Sequence, residues 1–213
     1  MTCDGECMIE NCVNRFLAAG VAATLLSLIV VVSLTASGEI LYVDIGATGT
    51  SDGSSWTNAF TDLQDALGIA DAGDEIRVAE GTYKPTDGAD RTASFPLRSG
   101  VALYGGYPSG GGVRNAEIHK TTLSGDIGVA DTNTDNRYHV VTAANALSSS
   151  TVLDGFTVSD GHANGTPETI DAPDNKGGGM YVVVVCDGPT IANCTFSDNV
   201  AAFNGGGDVR QLV

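Results

Sequence analysis

Two stretches with one pattern, LDGFTVSDG at residues 153–161 and IANCTFSDN at residues 191–199, decide the fold. Each places an apolar residue at its first and sixth positions, and both contain Thr-x-Ser-Asp. Glycine triplets at 177–179 and 205–207 form a second repeat, 28 positions apart. A loop insertion at 162–176 reconciles this interval with the 38-residue offset of the first pair. Repeats of about 20 to 30 residues with loop insertions predict a solenoid.

Short strands punctuated by glycine surround the repeat. The segments 40–44 (ILYVD), 74–83 (DEIRVAEGTY) and 100–107 (GVALYGGY) predict strands, and the lack of intervening helices excludes a βαβ fold. Sandwich and barrel remain as other all-β folds, but the repeat favours a β-solenoid. Asn193 and Asn199 are expected at bends, because Asn tolerates the left-handed conformation. The side chains expected to stack inside the coils are Phe156, Val158, Ile191, Cys194 and Phe196.

One amphipathic helix is predicted near the start of the solenoid. Its apolar residues recur at spacings of three and four: Phe60, Leu63, Leu67 and Ala70. Thr57 or Asn58 is expected to cap its start, Trp56 to pack onto Phe60, and Gly73 to end it. We expect this helix to cap the first coil, whose open end would otherwise expose unpaired backbone groups.

The N-terminal region contains an uncharged apolar segment, residues 16–34, which as a helix would be roughly 28 Å long. Arg15 precedes it and Glu39 follows it, which favours a cytoplasmic N-terminus. The small residues 36–38 form a candidate cleavage site. The segment is therefore predicted to be either a cleaved signal peptide or an uncleaved membrane anchor.

These features divide the chain into two parts. Residues 1–38 are predicted to be the signal peptide or anchor, with Met1 or Met8 as the start, and residues 39–213 to be the N-terminal part of a β-helix domain. The expected location is outside the cell or at the cell surface or outer membrane. The alternative is attachment to the inner membrane through residues 16–34.

The chain is acidic and rich in glycine. Its 213 residues include 26 Asp and Glu against 10 Lys and Arg, a net charge of −16, and 28 glycines. This charge repels phosphate backbones and no basic stripe is present, so nucleic-acid binding is excluded. Glycine shows no period of three, which excludes collagen. We expect the acids to coat the outside of a stacked core.

The cysteines offer no metal site. Cys3, Cys7 and Cys12 match no usual zinc spacing and have no nearby His. Cys186 and Cys194 are expected either to pair in an oxidising compartment or to remain as buried free thiols.

Two motifs carry a family resemblance. GGGMY at 177–181 followed by NCTFSDN at 193–199 resembles the repeats of bacterial right-handed parallel β-helix proteins of the pectin-lyase-like superfamily. The same pair is similar to repeats of polymorphic outer-membrane proteins and related adhesins, and residues 41–83 resemble the superfamily's first strand, capping helix and first coil. The resemblance implies a right-handed parallel β-helix of about six coils. The ending DVRQLV at 208–213 departs from the repeat and suggests a truncated chain.

The resemblance leaves two classes of function open. The first is adhesion or carbohydrate contact without catalysis, with a polysaccharide or cell-surface glycan as partner and with neither catalytic residues nor cofactor. The second is a polysaccharide lyase or glycoside hydrolase. Asn133-Thr134-Asp135 and Gly161-His162 resemble pieces of polygalacturonase motifs, but Ala163 replaces the expected glycine and no Asp pair lies between them. Three or more Asp, Arg, Lys or His on one outward strand face of neighbouring coils would favour the enzyme.

Asp131, Asn133 and Asp135 are the candidate metal ligands, with Asp126 nearby. Their alternate spacing matches the first three ligand positions of a calcium loop. Asn136 stands where such a loop has glycine, and Thr142 where it has its closing Glu, so the segment is not an EF-hand. Calcium is the predicted ion, and a plain polar loop is the alternative.

Overall fold

The structure is a computed structural model that describes residues 38–130, 132–144, 147–165, 173–183, 188–202 and 209–212. The apolar segment 16–34, Asp131, Cys186 and the glycine triplet at 205–207 lie outside these residues. Within the described ranges, no helix has the length and hydropathy needed to cross a membrane.

Short strands separated by loops make up the described chain. In chain order the elements are β1 (Ile40–Val43), α1 (Leu63–Ile69), β2 (Glu75–Ala79), β3 (Gly81–Tyr83), β4 (Phe95–Pro96), β5 (Ala102–Tyr107), β6 (Thr121–Ser124), β7 (Val141–Ala144), β8 (Val152–Asp154), β9 (Phe156–Ser159), β10 (His162–Ala163), β11 (Met180–Val183), β12 (Thr190–Ala192), β13 (Cys194–Ser197), β14 (Val200–Ala201) and β15 (Val209–Leu212). Two 3₁₀ turns lie at Asn133–Asp135 and Pro173–Asn175.

The strands form parallel sheets between successive turns of the chain. The first sheet has the order β1-β2-β5-β8-β12, the second β3-β6-β9-β13, and the third β4-β7-β11. β10 pairs with β14 in a short fourth sheet, and β15 adds to β13 as an antiparallel strand. The described chain is therefore an all-β parallel solenoid of about four turns with one α-helix. The expectation of about six coils is wrong, because residues 84–94 and 108–120 are loops between strands rather than further coils.

The strand register confirms the sequence repeat. Leu153 pairs with Ile191, and Val158 pairs with Phe196, so the first and sixth repeat positions meet on neighbouring turns. Leu153 also continues an inward row of aliphatic residues, namely Leu41, Ile76 and Leu103. All four aliphatic side chains of this row are buried. Burial of each contributes about 1.5–3 kcal/mol.

The predicted stacking residues form part of this core. Phe156, Val158, Cys194 and Phe196 are buried, and Ile191 is partly buried against them. The core is mainly aliphatic, as the 6% aromatic content requires. A stacked interior of this kind holds the outward side chains of neighbouring turns at fixed spacings of roughly 4.8 Å between strands.

The corner between the first and second sheets needs a left-handed backbone conformation. Gly155 has φ of 82° and Asn193 has φ of 49° at equivalent places on neighbouring turns. The prediction for Asn193 is thus confirmed, and Asn199 lies at the corner between β13 and β14 as expected, although without the left-handed conformation. The positive φ there belongs to Asp198, at 56°. Asn199 is buried, and its side chain bridges to the preceding turn.

The helix α1 exists but is shorter than predicted. Asp62, not Thr57 or Asn58, caps it by accepting a 2.9 Å hydrogen bond from the Gln64 amide. The start is delayed because Phe60 is still extended and forms a parallel bridge to Val43. The helix ends at Ile69, with Ala70 as its C-cap, before Gly73. Its buried face consists of Leu63, Ala66 and Leu67.

Candidate functional site

One outward face of the first sheet gathers aromatic and arginine side chains. Strand alternation turns Tyr42 of β1, Arg77 of β2 and Tyr104 of β5 outward in a single register row. Each of the three is half-buried. We call the whole set the aromatic–arginine surface: Tyr42, Trp56, Arg77, Tyr104, Tyr107 and Arg114.

Trp56 is the centre of the aromatic contacts. Its ring centroid lies 4.9 Å from that of Tyr42, edge to face at 62°, and 5.2 Å from that of Tyr107. Arg77 places its guanidinium carbon 5.8 Å from the Tyr107 ring centroid. These separations suit favourable aromatic and cation–π pairs. The rings are therefore held in place by one another before any ligand is present.

Charged partners fix the two arginines. Arg77 donates from Nε to Glu75 Oε1 at 2.6 Å, and this hydrogen bond raises the pKa of Arg77. Arg114 donates to the Gly105 carbonyl at 2.7 Å and to Asp154 Oδ1 at 2.7 Å. Its guanidinium carbon lies 5.2 Å from the Tyr104 ring centroid. Both guanidinium groups thus lie against aromatic rings in defined orientations.

Desolvation also raises the pKa of Tyr107, which keeps its phenol neutral. A groove of about 350 Å³ adjoins the surface and is lined by Arg114, Glu117, Lys120 and Asn193, among others. Together these features offer aromatic rings, guanidinium donors and carboxylate acceptors to a ligand. The sequence analysis did not identify this surface, although Tyr42 and Tyr104 occupy the polar positions of predicted alternating strands.

The second sheet presents a different face. Four threonines on successive turns share one outward register row: Thr82, Thr122, Thr157 and Thr195. This row has hydroxyls but no aromatic ring, so it serves as an internal contrast to the aromatic–arginine surface.

The predicted metal residues are only partly described. Asn133 and Asp135 lie in a 3₁₀ turn, and Asp131 is outside the described residues. Asp135 Oδ2 accepts a 2.9 Å hydrogen bond from the Val129 amide, and the Asn133 carbonyl hydrogen-bonds with His162 Nδ1. Among the described side chains, no three His, Cys, Asp or Glu residues lie close enough together to hold a metal ion. The calcium site remains a prediction.

A groove of about 440 Å³ nevertheless lies beside this turn, at the corner that follows the second sheet. We call it the corner groove, and it is lined by Asp126, Asn133, Asn136, Asp160, Asp198 and Val200. Three of these are acids that follow the ends of β6, β9 and β13. Two of them, Asp160 and Asp198, end the repeated Thr-x-Ser-Asp motif, which the sequence did not by itself indicate as a source of metal ligands.

The remaining candidates have structural partners. Asp154 accepts a 2.7 Å hydrogen bond from the Arg114 guanidinium. His139 precedes β7, and its ring stacks on that of Tyr181 with the centroids 4.7 Å apart. Burial lowers the pKa of His139 and raises that of the free Cys194 thiol. The predicted partner of Cys194, Cys186, lies outside the described residues.

Comparison with known proteins supports the fold and leaves activity open. A family described as "Protein of unknown function (DUF1565)" matches residues 45–205, which is more than half of the chain. No curated protein and no solved structure matches the chain. The family match and the solenoid together fit a parallel β-helix. The chain therefore belongs to the DUF1565 family.

Proposed function

We propose that this protein is an exported cell-surface or secreted β-helix that contacts carbohydrate without cutting it. The observation that carries the proposal is the aromatic–arginine surface, in which Tyr42, Arg77 and Tyr104 share one outward row. Trp56 and Tyr107 extend the row sideways. A chain of sugars lying along the solenoid would meet these side chains on successive turns.

The chemistry of the surface suits a sugar. A pyranose ring has a face of C–H groups that packs on aromatic rings, and hydroxyls at its edge that need hydrogen-bond partners. Tyr and Trp combine a large apolar ring with a polar group, which suits contacts that are half apolar and half wet. Arg77 and Glu75 supply donors and acceptors beside the rings.

The charge of the protein narrows the ligand class. A net charge of −16 repels polyuronates and other polyanions at a distance. The arginines on the surface are already paired with Glu75 and Asp154, so they add little net positive charge. Neutral glycans are therefore the ligand class that the surface favours.

Contact rather than catalysis is favoured by the strand faces. A polysaccharide-degrading enzyme is expected to carry three or more Asp, Arg, Lys or His on one outward face of neighbouring coils. On the described strands of the first sheet the outward faces carry two, Arg77 and Asp154, separated by Tyr104. The outward row of the second sheet consists of threonines, which are none of these four residue types.

The sequence supports the finer parts of the proposal. The resemblance of residues 177–181 and 193–199 to adhesin and pectin-lyase-like repeats supports a surface role on a right-handed β-helix. The apolar segment 16–34 supports export, with residues 1–38 as signal or anchor. The buried face of α1 supports its role as a cap on the first coil.

Affinity electrophoresis of the full chain through gels containing neutral glycans, pectin or alginate tests the proposal. We expect retardation by a neutral glycan, reduced at least about tenfold in apparent affinity by Tyr104→Ala, since buried aromatic anchors dominate binding energy. Thr157→Ala is the matched control on the second sheet and should bind as the unchanged protein does. Binding that Tyr104→Ala leaves intact would overturn the proposal. Release of reducing ends or unsaturated sugars, with or without calcium, would favour the enzyme instead.

A further inference from the structure

The corner groove contains polar atoms that the described protein leaves without partners. Asn136 is only 5% exposed, lines the groove, and its Oδ1 has no hydrogen-bond partner. Asp126 also lines the groove, and its Oδ1 is likewise buried and without a partner. Leaving a buried polar atom unpaired is unfavourable, and more so for a charged group. Both oxygens belong to residues that line the same groove, so one ligand could pair with both.

The unpaired side-chain atoms of the residues that line the groove are both acceptors. Asp126 Oδ1 and Asn136 Oδ1 can receive a proton or coordinate a cation, but they cannot donate. Asp135 Oδ1, in the adjacent 3₁₀ turn, is a third buried oxygen without a partner. A ligand that pairs with these oxygens must donate hydrogen bonds or be a cation.

Two more carboxylates increase the negative charge of the groove. Asp160 and Asp198 line it at equivalent positions of neighbouring turns, each after a strand of the second sheet. Asp160 Oδ2 is held by the hydroxyls of Ser124 and Ser159, at 2.9 Å and 2.6 Å. These hydrogen bonds hold the Asp160 carboxylate in place.

Cationic side chains nearby do not satisfy the unpaired oxygens. Lys84 contacts Asp126 through Oδ2 at 3.3 Å, leaving Oδ1 unpartnered. Arg91 donates to the backbone carbonyls of Asn136 and His162 and stacks over a tyrosine ring. Arg137 is fully buried, but none of its guanidinium nitrogens has a hydrogen-bond partner among the described residues.

From these observations we infer that the corner groove binds one calcium ion between Asp126 and Asn136. Hard divalent cations prefer carboxylate, amide and water oxygens, and calcium accepts six to eight of them in flexible geometry. The Asp126 carboxylate and the Asn136 amide oxygen, with water completing the coordination shell, do not require three clustered His, Cys, Asp or Glu, and none is found among the described side chains. The sequence predicted calcium at Asp131, Asn133 and Asp135. The inferred site instead uses Asp126, which lies two residues after β6.

The ion would join two parts of the fold. Asp126 directly follows β6 and its glycine, while Asn136 ends the loop that leads back toward β7. Calcium would therefore connect the residues that follow β6 to those that precede β7. Few protein ligands and several waters place its dissociation constant in the range of weak extracellular calcium sites, about 10⁻⁴–10⁻³ M.

Isothermal titration and thermal unfolding of the full chain with calcium chloride test the inference. We expect one calcium per chain, a rise in Tm with calcium, and a smaller effect of magnesium, which demands a tighter octahedral site. Asp126→Asn should weaken calcium binding at least about tenfold, and Asn136→Ala should weaken it too, since site affinity follows ligand charge and number. Lys84→Gln should strengthen binding, because it removes the cation that competes for Asp126. Asp71→Asn makes the same charge change on an exposed residue after α1 and should bind as the unchanged chain does.

Two results would overturn the inference. One is the absence of any calcium-dependent heat or Tm shift up to about 10 mM calcium. The other is calcium binding that Asp126→Asn and Asp71→Asn change equally, which would mean diffuse binding to an acidic surface. Lys84→Gln keeps the test decisive if Asn136→Ala fails to fold, because the Lys84 pair is partly exposed and contributes little to stability.

Discussion

Replacing Asn199 with alanine should destabilise the solenoid more than its single side chain suggests. Asn199 is 7% exposed, and its Oδ1 accepts from the Gly161 amide at 2.9 Å. Its Nδ2 donates to the Val158 carbonyl at 2.8 Å. Both partners belong to the preceding turn and both bonds are buried. The side chain therefore connects two coils at the corner after the second sheet.

The magnitude follows from the two partners left behind. Each buried backbone group without a partner costs about 1–3 kcal/mol, so Asn199→Ala should cost about 2–6 kcal/mol. That is a large part of the roughly 5–15 kcal/mol that stabilises an ordinary domain. Urea unfolding followed by far-ultraviolet circular dichroism would measure the loss as a lower midpoint with an unchanged slope.

Asn164→Ala is the matched control for Asn199→Ala. Asn164 is an exposed Asn whose amide oxygen accepts from Arg91, so the change should cost less than about 1 kcal/mol. If Asn199→Ala lowers the midpoint no more than Asn164→Ala does, the two buried bonds do not join the coils as described.

Three further changes test the core, a buried histidine and the aromatic surface. Phe156→Ala removes a side chain that is 1% exposed and should cost about 3–5 kcal/mol in urea unfolding. Burial holds the pKa of His139 below its unfolded value of about 6.5, so the stability it contributes is complete above that pH and falls as the pH decreases. His139→Gln should therefore flatten the decline of the unfolding midpoint between about pH 7 and 5.5. Gly111→Ala would place a Cβ 2.3 Å from Trp56 Cδ1, at a residue whose φ is 92°. It should therefore shift the tryptophan emission and weaken glycan binding. Gly110→Ala controls for backbone strain, because Gly110 has a φ of 77° and its added Cβ would have no atom within 4 Å.

The fold was predictable because its signal lies in the order of residues along the chain. The repeat positions Leu153 and Ile191 became register partners, since stacked coils must align equivalent inward residues. The helix was found from its apolar spacing. The start of the helix could not be predicted from this spacing. The bridge between Phe60 and Val43 is a tertiary contact, and it keeps the chain extended just before the helix.

The sites were harder to predict because the coil register assembles them from distant residues. Tyr42 and Tyr104 reach one surface only through the intervening strand that carries Arg77. For the metal, the sequence favoured ligands spaced along one loop. The calcium ion that we infer would instead lie between Asp126, which follows β6, and Asn136, which ends the 3₁₀ turn.

Fluorescence of Trp56 reports directly on carbohydrate contact at the aromatic–arginine surface. Trp56 is the single tryptophan of the chain, and its ring lies 4.9 Å from Tyr42 and 5.2 Å from Tyr107, so its emission reports on that surface. Titration of the full chain with the neutral glycan that retards it most should change the emission saturably, and Tyr104→Ala should shift the curve to higher concentration. Glycan binding that leaves Trp56 emission unchanged would show that the glycan binds elsewhere. The absence of binding to any neutral glycan would refute carbohydrate contact altogether.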